Sequence, residues 1–253
     1  MSQTLSAGIT RDRAFELLNE HNKDPFHITH GETVEGTMRY FAREFDPENE
    51  EFWGIVGLLH DLDWEEHEDD PVNHTIYAAE ILEGEGASPE LIRAIQTHTS
   101  DFNTSLPKPE LQMEKILFAC DELTGLIGAA VIMRPSKSVM DFTTKSLKKK
   151  FKDKRFAAGC SRDVITQGAE MLGWELPELF DRTIAAMQSF APDRDTFQAY
   201  PAKKGQVYFG RFYLGRRFRW TLFSGSVFCL TWWCLRMAAP RGRQLRFAVS
   251  VTR

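Results

Sequence analysis

A histidine and an aspartate, His60 and Asp61, follow directly on the apolar run of residues 52–59 in the stretch GLLHDLDWEEH (57–67). A buried carboxylate is costly unless it is paired or bound to a cation. Other titratable groups sit where the pattern assigns core. His30 is in helical register with Val34, Phe41 and Phe45, and His98 closes a segment whose inward face is Leu91, Ile92 and Ile95. Asp121 lies inside ILFACDELTGLI, and His74 opens a segment running through Ala78, Ile81 and Leu82. Singly, each is explained as a hydrogen-bonded core group or a partner of a helix end. Together, imidazole and carboxylate are the donors that divalent transition metals take. His30, His60, Asp61, His74, His98 and Asp121 therefore make a candidate metal centre. His27, three residues from His30, is a weaker alternative, and His67 in its acidic loop is expected to be solvated.

The elements that must carry these groups are helices. Thr10 caps a first segment through Phe15, Leu17 and Leu18, and a second carries His30, Val34, Met38, Phe41 and Phe45. A third, about 48–61, starts in acids, which suit a helix N-terminus, and ends at the His–Asp pair. Asp69, Asp70 and Pro71 make a loop, and His74 opens a helix that stops near Gly84 and Gly86. Ser88 and Pro89 form a helix start. Residues 109–133 give the longest apolar helix, ended by Arg134 and Pro135, and further helices are expected over 138–152, 161–172 and 177–190. The expected fold is an all-α bundle.

The ordered series of a first His, the His60–Asp61 pair, further histidines and a distal Asp resembles the HD superfamily of metal-dependent phosphohydrolases. The likeness spans about residues 13–190, and GLLHDLD, AAEIL and CDELTGLI look like stretches of a bacterial branch of that superfamily. It implies an HD-domain helical bundle in which His30, His60, Asp61 and Asp121 hold one metal. His74 and His98 match the extra histidines of two-metal members, with Asp61 bridging both ions. One or two divalent transition ions (Mn, Fe, Co, Ni or Zn, with Mg as an alternative) would then activate water for attack on phosphorus. The implied activity is that of a phosphatase or phosphodiesterase acting on a small phosphomonoester or diester, a nucleotide among the candidates. The same positions serve a minority of the superfamily that cleaves carbon bonds with oxygen at a di-iron centre. A non-catalytic nucleotide- or metal-sensing module is the third alternative. Where many two-metal relatives have Lys or Gly after the pair, this chain has Asp63 and Trp64, so no subfamily's substrate carries over. Asp63 is read as a catalytic proton-transfer group or as a partner of a metal ligand, alongside Asp61.

A phosphate ester needs cations for its remaining oxygens. The segment 134–155, dense in Lys and Arg, follows the helix that carries Asp121. Arg134 and Lys137 are the preferred phosphate contacts, with Lys145 and Lys149 behind them; a solvated basic face is the competing reading.

Charge divides the chain. Residues 192–253 hold twelve Lys and Arg against two acids, leaving 19 basic against 34 acidic groups before Pro192. Residues 1–191 are therefore read as the HD-type hydrolase domain, too acidic to favour nucleic acid. Residues 192–253 are read as a basic, aromatic-rich C-terminal extension, disordered or non-native. Its 16 uncharged residues between Arg219 and Arg236 fall short of the roughly 20 that a spanning helix needs. Interfacial membrane contact through Trp220, Trp232 and Trp233 and a small β-rich appendage are weaker readings than out-of-frame translation. Truncation after Asp195 is thus expected to leave folding and activity intact. The opening residues lack a secretory pattern and the four cysteines form no C-x-x-C pair, so the expected compartment is the cytoplasm.

Overall fold

The computed structural model describes residues 4–191; the basic extension, with every expectation attached to it, lies outside the described residues. Among the described residues all regular structure is helical, as the spacing predicts. Helix α1 (Arg11–His21) starts at Thr10, whose hydroxyl accepts from the Arg13 N–H. Helix α2 (Pro25–Phe45) starts at Asp24, whose carboxylate accepts from the Phe26 N–H, with Pro25 at the first helical position. Then come α3 (Glu50–Leu59), a short α4 (Trp64–His67), α5 (Ile76–Gly84) and α6 (Pro89–Thr97), which is capped by Ser88 as expected. The last four are α7 (Gln112–Ile132), α8 (Thr144–Lys152), α9 (Arg162–Leu172) and α10 (Leu176–Phe190).

Small residues set how close the site-bearing helices come. A Cβ on Gly57 of α3 would stand 2.8 Å from the Val34 carbonyl oxygen of α2, and one on Gly31 would stand 2.9 Å from that of Leu58. Only hydrogen at both positions lets the two backbones meet so closely. That approach carries His30, next to Gly31, against His60, three residues past Gly57. On the far side, a Cβ on Gly168 of α9 would lie 2.5 Å from the Ala119 Cα of α7, two residues from Asp121. Met38, Phe41, Trp53, Leu58, Leu91, Ile116 and Leu123 belong to one buried apolar cluster beneath the site.

The departures from the expected elements are local. Helix α3 ends at Leu59, so the His–Asp pair lies in the turn just beyond it, and α4 occupies what reads as loop. Helix α5 begins at Ile76 instead of His74, because Thr75 takes a left-handed φ of 69°. Helix α8 starts at Thr144, six residues late: Arg134 closes the preceding turns by donating to the Asp141 carboxylate at 2.6 Å, and Thr143 then caps the helix. Phe45, expected on the inner face of α2, is 38% exposed and lies over Trp174.

Candidate metal centre

Six side chains from separate parts of the bundle converge in two groups that share one residue. His30 on α2, His60 and Asp61 after α3, and Asp121 on α7 form the first; Asp61, His74 and His98 form the second. Within each, the potential ligand atoms lie within 4.8 Å of one another. The Asp121 Oδ1 is 3.0 Å from His30 Nε2 and 3.2 Å from His60 Nε2. Asp61 turns one oxygen to each group. Its Oδ2 lies 3.3 Å from His60 Nε2 and 3.6 Å from His30 Nε2, whereas its Oδ1 lies 3.1 Å from His74 Nε2 and 3.5 Å from His98 Nε2.

The outer nitrogens fix the ring tautomers. His60 Nδ1 lies 2.9 Å from the Gly57 carbonyl oxygen and His98 Nδ1 lies 2.6 Å from that of Ile95. A carbonyl only accepts, so both Nδ1 atoms carry hydrogen, and in the neutral rings it is the Nε2 lone pairs that face the cluster. His74 Nδ1 is 2.7 Å from Asp63 Oδ1, a carboxylate that holds the ring in the same way. Three imidazoles are thus oriented for ligation by acceptors behind them, the usual arrangement around a protein-bound metal.

Burial alone would raise the Asp61 and Asp121 carboxyls, yet the neighbouring histidines, His60 foremost, hold both well below the usual range. Burial would likewise lower His60, but Asp61 and Asp121 outweigh it and push it well above its usual value. His74 rises to about 9, because Asp61 and Asp63 overcome the effect of its burial. The cluster is a half-buried pair of anions that gathers positive charge, and its nitrogen and oxygen donors suit divalent ions.

A cavity of about 230 Å³ opens onto this cluster and is lined by His30, Asp61, His74, His98 and Asp121. His60, fully buried, stands behind them. Asp63 does not line it. Its Oδ1 faces His74, and its Oδ2 accepts from the N–H groups of Thr75 (2.8 Å) and Ala78 (3.2 Å). Fully buried and turned to His74, Asp63 is placed to hold that ring, one of the two roles its position suggests, and away from the cavity that a proton-transfer group would face.

The expected phosphate contacts are likewise placed away from the cavity wall. Arg134 is tied to Asp141 and packs over Phe142, Lys137, Lys145 and Lys149 are exposed, and none of the four lines the cavity. Helix α8 buries Leu147 and turns its lysines outward, which leaves the solvated basic face as the better reading of that run. His27 does line the cavity but pairs with Glu65 at 3.0 Å, and His67 stacks on Tyr77. Sequence reasoning missed Glu122, Phe26, Trp64 and Phe102, all in the cavity wall. Glu122 had a signal, an acid within the apolar CDELTGLI; burial, with Asp121 beside it, pushes its carboxyl up to about 8. Phe26 had a weaker one, the four-residue spacing that stacks it on His30.

A helical bundle with a His–Asp pair and two adjoining nitrogen–oxygen donor groups has the arrangement to hold divalent metal ions. Residues 28–126, the span that contains all six side chains, match the family model of the HD domain. No curated protein and no solved structure matches the chain significantly. Among the described residues no helix is long and apolar enough to cross a membrane.

Proposed function

We propose that the protein hydrolyses a small phosphomonoester or phosphodiester at a centre of two divalent ions. The observation that carries this reading is the division of Asp61, one carboxylate oxygen toward each set of histidines. His30, His60 and Asp121 would complete one coordination sphere, and His74 and His98 the other. Bound ions would supply Lewis acidity and a water of lowered pKa. The chain's own part is to fix the donor atoms in place, through the Gly57 and Ile95 carbonyls and the Asp63 carboxylate, and to shape the cavity over them. A P–O bond breaks as water adds to phosphorus, and the ester oxygen leaves as the alcohol.

The test combines elemental analysis of the full chain with phosphate-release assays across Mn²⁺, Co²⁺, Ni²⁺, Zn²⁺, Mg²⁺ and Fe²⁺. Two ions per chain and turnover of monoesters or diesters, both lost in Asp61→Ala, are expected. Metal binding without release from any phosphoester, accompanied by oxygen consumption with Fe²⁺, would favour the di-iron oxygenase instead.

A further inference from the structure

The cavity wall beyond the ligand cluster narrows the substrate. Gly125, Ala129, Ile132, Ala157 and Val164 make it apolar. Phe102 lines it while 48% exposed, which places an aromatic ring at the opening, and Phe26 and Trp64 add two more. Among the described residues no Lys or Arg lines it, and the further acids that do, Glu68 and Glu122, add no positive charge.

Charge and size then point the same way. Two divalent ions set against Asp61 and Asp121 leave two positive charges, enough to balance a single phosphate dianion. A second or third phosphate would enter a wall of hydrocarbon and carboxylate, with none of the Arg or Lys forks that proteins use for such groups. A volume of about 230 Å³ lies below the range typical of drug-sized ligand pockets.

Resting on the hydrolase reading, we propose that the cavity takes a monoester with one phosphate and a compact apolar group, an aryl or short alkyl ester, and discriminates against nucleoside di- and triphosphates. The apolar wall and the ring at the opening receive the organic part, while the ion pair receives the phosphate.

Calorimetric titration of the Mn²⁺-loaded full chain tests this without turnover, using phenylphosphonate, methylphosphonate and the β,γ-methylene analogue of adenosine triphosphate. Phenylphosphonate is expected to bind about tenfold tighter than methylphosphonate, since a buried ring adds at least that much, and the triphosphate analogue weakest of the three. Ala129→Phe, which fills the slot, should bring the phenyl-to-methyl ratio toward one. Equal binding of the two phosphonates by the unaltered protein, or tightest binding of the triphosphate analogue, overturns the inference and leaves the hydrolase reading standing. Failure of all three to bind, together with no phosphoester turnover, overturns both.

Discussion

Replacing Asp63 with Asn isolates the contribution of the group behind His74. The change keeps the side chain's size and one oxygen, which can still accept from Thr75 and Ala78 at 2.8 and 3.2 Å. It sets an amide NH₂ where Oδ1 stood, 2.7 Å from His74 Nδ1. That NH₂ can only donate, so the imidazole must accept through Nδ1 and move its hydrogen to Nε2, the atom 3.1 Å from Asp61. The lone pair aimed at the second donor group is then lost. A hydrogen bond to a charged group contributes about 1.5–3 kcal/mol, and ~1.4 kcal/mol is a factor of ten. Affinity for one of two ions should therefore fall roughly 10- to 100-fold, the range typical of such outer partners. Titration of Mn²⁺ into metal-free protein reads both sites at once. The His30–His60–Asp121 site should keep its affinity, and circular dichroism should report an unchanged helix content. A folded Asp63→Asn protein with both sites at full affinity would refute the claim that Asp63 sets the His74 tautomer.

Three further outcomes follow from the packing. Gly168→Ala should destabilise the fold by about 1–3 kcal/mol in denaturant titrations, because the added methyl meets the Ala119 backbone and neither helix can yield. Arg162→Ala removes a guanidinium that donates to the carbonyls of Ala157 and Cys160 at 2.6 Å, and to that of Phe156. A loss of roughly 2–4 kcal/mol, with faster amide exchange over residues 153–161, is expected; unchanged exchange there would show that the loop is held otherwise. Glu65 gives a pH signature. Burial would raise its carboxyl, but the N–H groups of Asp24 and Lys23 and the His27 ring hold it below the usual value. Its stabilising effect is thus present above the unfolded-state value of about 4.3 and is lost as pH falls through the folded value. Glu65→Gln should be less stable than the unaltered protein at neutral pH, with the gap closing in acid; a gap that stays constant with pH would contradict this assignment.

The six convergent residues were legible because their chemistry conflicts with their surroundings: imidazoles and carboxylates in apolar helices need a reason, and their order along the chain matches a known pattern. The caps Thr10 and Ser88 were equally legible, since capping depends on neighbours two or three residues away. The choice between the two roles of Asp63 was not, because its direction depends on the turn after α3 and on the left-handed backbone of Thr75, which together bring the N–H groups of Thr75 and Ala78 onto its carboxylate. The direction of the basic run of 134–155 was hidden for a related reason. Closeness in sequence to Asp121 says nothing of direction, and a salt bridge to Asp141 seven residues on fixes Arg134 away from the cavity.

By itself, then, the sequence determined which of the longer helices form, where two of them begin and which residue types could hold metal, all of them consequences of local spacing and of side-chain chemistry. Tertiary structure alone decided that Asp61 divides its oxygens between two sets of histidines and that the wall beyond is apolar and free of Lys and Arg among the described residues. Those outcomes depend on the close approach of α2 to α3 and of α7 to α9, distances set by the glycines at each crossing and not by any separation along the chain.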